Sequence, residues 1–210
     1  MLPPTPPYSK TVFINCPFDV SYLPFFHAII FTVYRCGFTP RSALEADDSS
    51  ENRMDKIVRI IQQSKYGIHD LSKIELDTND LPRFNMPFEY GLFLGAKKYG
   101  DNQQKEKIAI VFEADTFSSK KYLSDISGSD LQSHHNKQDE LVKKIRDWLH
   151  AASRRKTIPS FQTIKNDFEE FKNAKLPIML KENNTTFEHL TFNDYCIFVE
   201  TALKAKLDQY

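Results

Sequence analysis

Along the first half of the chain, short runs of β-branched and aromatic residues alternate with segments whose apolar positions repeat at helical spacing. Residues 11–15 (TVFIN) form a run that ends in the turn-forming CPFD, the pattern of a buried strand. Residues 22–35 are apolar on nearly every side and stop at Gly37, which predicts a helix buried against a sheet and ended by glycine. A second strand is expected over residues 38–44. Met54, Ile57, Val58 and Ile61 then fall at the i, i+3, i+4, i+7 spacing of a one-sided helix, with Ser49 and Ser50 as its candidate caps. Residues 65–71 (KYGIHDL) predict a third strand, and residues 73–87 a loop rich in Asp, Asn and Pro. A helix over residues 87–98 and a strand over residues 107–113 (KIAIVFE) complete this unit. Strands that alternate with helices imply a parallel sheet, because parallel neighbours need a crossover and the helix supplies it.

The pattern weakens after residue 114. Residues 116–136 are polar and aperiodic and predict a long loop, in which the adjacent His134 and His135 are expected to be solvated. Residues 138–152 place Leu141, Ile145, Trp148 and Leu149 on one helical face, and residues 161–171 predict another helix. Residues 176–180 (LPIML) are expected to be the fifth strand, and residues 192–207 a closing helix. The fold class that follows is α/β: a flavodoxin-like, doubly wound parallel sheet of about five strands with helices on both faces. Residues 1–9, with four prolines, form an extended tail or surface clamp ahead of a single domain over residues 10–210.

Composition narrows the function classes. The 28 basic and 28 acidic residues cancel and, apart from short clusters such as Arg154-Arg155-Lys156, are interspersed, so no nucleic-acid-binding stripe is implied. Three cysteines, none in a CxxC spacing, provide no metal or disulfide framework and suit a reducing cytoplasm. The most apolar stretch, residues 23–34, is too short to span a bilayer, and prolines stand at the start where a signal peptide needs an apolar core. A cytoplasmic protein without a membrane or metal partner is expected.

In an open parallel sheet, ligands bind beyond the carboxyl ends of the strands where strand order reverses. The chemistry-bearing positions are therefore residues 15–19, 41–48 and 70–72, with the loop that leads to Glu89. The runs VFINCPFD (12–19), IHDLS (68–72) and RFNMPFEYGLFLGAKK (83–98) resemble the nucleoside deoxyribosyltransferase-like and TIR-like families, over roughly residues 11–113. In that pattern an Asp ends a strand and a Glu-x-Gly opens the next helix. The resemblance implies cleavage of an N-glycosidic bond with Glu89 and Asp70 as catalytic residues, and NAD or a related nucleotide as substrate rather than cofactor. Deoxyribosyltransferases usually carry a small Gly-Thr-like pair where this chain has Asn85-Met86-Pro87-Phe88, so the nearer likeness is to bacterial anti-phage effectors that attack NAD or nucleotides.

The residues support that comparison independently. A Glu in the first turn of a helix is favoured in its ionised form by about 0.3–1 kcal/mol, and a carboxylate near the sugar C1 can stabilise or trap an oxocarbenium-like centre. Asn15, Phe18, Arg41, Arg83 and Gly91 are the candidate substrate contacts. Arginine forks match phosphate oxygens, an aromatic ring can stack on a base, and a glycine admits close approach. Phe84 is a second stacking candidate, Gly95 is read as close helix-to-sheet packing, and His69, opposite Asp70 across the strand, as a packed histidine. Asn15, Asp70 and Glu89 are expected to line one pocket with Arg41 or Arg83 at its rim. Each of these residues also has an ordinary structural role: helix start, turn, salt bridge or core. Two other readings stay open, a deoxyribosyltransferase or nucleotide hydrolase, and a non-catalytic nucleotide-sensing or protein-interaction module. Self-association or a partner subunit is compatible with all three.

Overall fold

Covered by helices on both faces, the central strands β1 (Thr11–Asn15) and β3 (Tyr66–Asp70) are buried at every position, apolar in their middles and polar where Asn15, His69 and Asp70 reach the carboxyl end. A computed structural model of the chain describes residues 6–45, 49–73, 84–116, 123, 125 and 130–207, the side chains of 206 and 207 excepted. Its sheet is parallel throughout and contains β2 (Thr39–Ser42), β4 (Ile108–Glu113) and β5 (Gln132–Ser133) as well, in the order β2-β1-β3-β4-β5. This is the flavodoxin-like order, which reverses direction between β1 and β3.

Successive side chains along each strand point to opposite faces. Val12 and Ile14 of β1 and Ile68 of β3 pack beneath α1 (Leu23–Arg35), α5 (Gln138–Ser153) and α8 (Phe192–Leu207) in one large apolar cluster. Phe13 lies in a second cluster across the sheet with Ile57, Ile60 and Ile61 of α2 (Arg53–Gln62) and Phe93 of α3 (Asn85–Tyr99). The C-terminal helices therefore share the core of the βα units. Among the described residues, no helix is long and apolar enough to cross a membrane.

Several local expectations are corrected. The cap of α2 is Asn52, whose side chain accepts from the Met54 amide at 2.8 Å, and not Ser49 or Ser50. Residues 176–180 are helical: α6 (Phe161–Glu170) runs through a π-helical turn (Phe171–Lys175) into α7 (Leu176–Glu182). Pro177 has no amide to donate, and a widened turn just before it absorbs that loss; in a central strand the same proline would break the ladder. The fifth strand is instead the two-residue β5, inside the segment expected to be loop.

At the amino-terminal end of the sheet, Lys107 is buried and donates to the Ile61 carbonyl at 2.5 Å and to that of Ser64, which closes the end of α2. Pro7 and the turn Tyr8–Lys10 lie against the same end, with the Tyr8 hydroxyl donating to the Gln103 carbonyl of the short helix α4 (Asn102–Lys105) at 2.8 Å. That part of the proline-rich segment is a clamp, and residues 1–5 lie outside the described residues.

Candidate active-site cleft at the strand ends

Beyond the carboxyl end of β1, at the switch point, a cleft of about 400 Å³ opens between the β1–α1 loop and the amino-terminal ends of α2 and α3. Asn15, Phe18, Asp19, Arg53, Asn85 and Glu89 line it, together with Cys16, Pro17 and Met86.

Asn15 fixes the geometry at its floor. Its amide nitrogen lies 3.1 Å from His69 Nδ1 and donates to the Met86 carbonyl at 2.8 Å, so the end of β1 is tied both to β3 and to the first turn of α3. With both amide hydrogens engaged, the amide oxygen is the group left to a ligand. His69 is fully buried among Phe13, Tyr90 and Phe93, and burial, helped by the Lys107 charge, pulls its pKa down to about 3. It is a neutral, packed histidine that orients Asn15.

Glu89 is the fifth residue of α3, two residues deeper than expected, and only 5% exposed. Among the described residues nothing donates a hydrogen bond to its carboxylate. Burial drives its pKa up to about 7, with the Arg53 charge working against that rise. The expectation of a carboxylate held ionised by the helix dipole is thus corrected, because Glu89 lies beyond the first turn, where the dipole acts, and burial raises its pKa. Arg53, the first residue of α2, is exposed at the rim and was not singled out from the sequence. Asp19 is paired with Lys73 at 2.7 Å. Burial, followed by the Asp70 and Glu89 charges, pushes the Cys16 thiol well above its ordinary value, which removes it as a nucleophile.

Asp70 is not in the cleft. It follows His69 on β3 and so points through the opposite face of the sheet, where it is fully buried. There its carboxylate accepts from the Ser72 amide at 2.8 Å and from the Tyr22 hydroxyl, and His134 Nε2 lies 3.2 Å away without aligned hydrogen-bond geometry. The His134 Nδ1 accepts from the Asn136 amide at 3.1 Å, so the proton sits on the nitrogen that faces Asp70. Burial alone would raise the Asp70 pKa, but His134, Ser72 and Tyr22 together hold it below the usual carboxylate value. His134 is therefore buried in the core, contrary to expectation, while His135 is solvated as expected.

The remaining predicted contacts separate. Phe18 lines the cleft. Arg41 is held elsewhere by Glu45 at 2.6 Å and Gln63 at 3.0 Å, and Arg83 lies outside the described residues. Gly91 and Gly95 face an open hollow on the outer side of α3, with nothing within 4 Å of an added Cβ, so close packing does not explain Gly95, and Gly91 is not in the wall of the strand-end cleft. Phe84 and Phe88 are exposed. Two larger hollows, about 590 Å³ beside β4 and about 840 Å³ over Gly91, have no buried carboxylate, histidine or lysine among their lining residues. No protein-family model, curated protein or solved structure matches the chain, so its functional reading rests on these residues.

Proposed function

We propose that the protein cleaves an N-glycosidic bond of NAD or a related nucleotide in the strand-end cleft, with Glu89 as the catalytic carboxylate. The observation that carries this reading is Glu89 itself: a buried carboxyl without a hydrogen-bond partner among the described residues, in the wall of a cleft at the sheet's switch point, with a pKa near neutrality. A carboxyl left so poorly compensated is a cost to folding, and such costs concentrate at functional sites.

The chemistry follows from the arrangement. The bond between sugar C1 and the base nitrogen breaks with its electron pair leaving on the base, and positive charge develops on the sugar. Ionised Glu89 stabilises that charge or bonds to C1; a water then adds at C1, breaking the bond to Glu89 where one has formed, and its proton passes to the Glu89 carboxylate. Asn15 offers its amide oxygen to a sugar hydroxyl, Phe18 a ring face to the base, and Arg53 a guanidinium at the mouth to a phosphate. The volume suits one nucleoside-sized group rather than a whole dinucleotide.

The test is incubation of the purified chain with NAD and with nucleoside monophosphates, followed by chromatography for free base. Glu89→Gln is expected to lower base release by about 10²–10³-fold or more, the scale of losing one preorganised charge-stabilising group. A wild type and a Glu89→Gln variant that release base at equal rates would overturn the assignment. A second reading, nucleotide binding without cleavage, draws on the position of Asp70 across the sheet, which leaves Glu89 without a carboxylate to orient it. Saturable nucleotide binding with no base released would favour it.

A further inference from the structure

At the opposite end of the sheet from the cleft, α1, α5 and α8 converge on the turn between α1 and β2. Gly37 takes φ +79° there, a left-handed conformation that suits glycine. A cavity of about 210 Å³ opens beside it, lined by Tyr34, Arg35, Arg155, Thr157 and Leu203.

The guanidinium of Arg155 is pinned before any ligand arrives. Its Nη1 donates to the Gly37 carbonyl at 2.8 Å, and its plane lies over the Phe38 ring at 5.1 Å. It also fills the space a side chain at position 37 would need, since an added Cβ would fall 3.1 Å from Nη2. Among the described residues no carboxylate pairs with it. Nor is it consumed in closing the nearby helix ends, because the backbone does that: Cys36 N bonds to Thr32 O, Gly37 N to Tyr34 O and Arg154 N to His150 O.

Arg35 spends only its Nε on Asp167, at 2.6 Å, and keeps its terminal nitrogens. Arg35 is set against Asp167 and Arg146 against Asp147, while Arg155 has no ion-pair partner among the described residues; the charges of Glu200 and Glu45 are felt at Tyr34 in the cavity wall. The charges of Arg146, Arg35 and Arg155 all act on the buried Cys36 thiol, which burial otherwise pushes up to about 12. Of the basic cluster that stands out in the sequence, Arg155 thus lines the cavity, with a preorganised guanidinium that no carboxylate pairs among the described residues.

We propose that this cavity is an anion site for a phosphate or phosphate-monoester group, held by the free edge of Arg155 with Arg35 and the Thr157 hydroxyl. A planar fork that is already fixed loses little freedom when it takes two oxygens. The volume admits the phosphate and the first atoms of an ester, so the rest of a larger ligand would remain outside.

Titration of the full chain with inorganic phosphate, at ionic strength held constant with chloride, tests this through the amide resonance of Gly37. The expected result is a saturable shift that disappears in Arg155→Gln, weakens at least tenfold in Arg155→Lys, which keeps the charge but not the fork, and weakens severalfold in Thr157→Val. Arg53→Gln, at the strand-end cleft, leaves it unchanged. Adenosine monophosphate in place of phosphate separates a monoester from the free ion, and binding of either one supports the site. A shift that grows linearly without saturating, that survives in Arg155→Gln, or that vanishes in Arg53→Gln overturns the proposal. Should Arg155→Gln not fold, Arg155→Lys and Thr157→Val decide it.

Discussion

His69 and Asp70 are adjacent on β3, yet the two sides of the sheet they enter treat acidic groups in opposite ways. On the Asp70 side a carboxylate is fully buried and fully answered, by Tyr22, the Ser72 amide and His134, and its pKa falls. On the His69 side a neutral histidine orients Asn15 above a cleft whose carboxylate, Glu89, is buried and unanswered, and its pKa rises to about 7. Burial is common to both. What differs is hydrogen-bond donation, and donation separates a carboxylate that holds the fold together from one free to act on a ligand.

The largest expected effect falls on the satisfied side. Asp70→Asn removes the charge at the centre of a buried network and is expected to cost about 3–5 kcal/mol in urea unfolding. A loss below about 1 kcal/mol would mean that the network holds little together. Tyr22→Phe deletes one donor to a charged acceptor, and about 1.5–3 kcal/mol is expected to be lost.

Glu89→Gln has the opposite sign. A carboxyl with a folded pKa near 7 and an ordinary value of 4.5 contributes stability that is complete below pH 4.5 and lost as pH rises through 7. The variant is therefore expected to match the wild type at pH 4 and to exceed it by about 1–3 kcal/mol at pH 8. Asp70, with its lowered pKa, contributes stability above its ordinary value, near pH 3.8, that is lost as pH falls through the folded value. A thermal-denaturation series from pH 3 to 8 should show both slopes. The smallest effect is expected from Arg53→Gln, an exposed change worth less than about 0.5 kcal/mol. By removing the charge that opposes the rise, it should still move the Glu89 midpoint upward. A downward movement would break the electrostatic account of the cleft.

The sheet was legible in the sequence because buried parallel strands are written as apolar runs, as at Val12, Phe13 and Ile14. The fifth strand was not, since Gln132 and Ser133 carry no apolar signal and are placed by pairing with Phe112 and Glu113. In LPIML, composition spoke for a strand, while Pro177 and the helix already running into it decided otherwise. At the site, strand alternation correctly set His69 opposite Asp70. The same alternation implies that Asn15, paired with His69 in register, shares a face with His69, and that Asp70 therefore lies away from it. Proximity in the chain obscured that consequence. His134 could not be placed from sequence, because what buries it is the far end of a long polar segment folding back onto β4.

Everything proposed for the cleft turns on Glu89 titrating near neutrality while Asp70, across the sheet, stays ionised. Carbon-13 carboxyl chemical shifts followed from pH 3 to 9 read both groups in one experiment. The expected result is a Glu89 midpoint near 7 and no Asp70 transition above about pH 4. A Glu89 midpoint at the ordinary 4.5, or an Asp70 midpoint above that of Glu89, would contradict it.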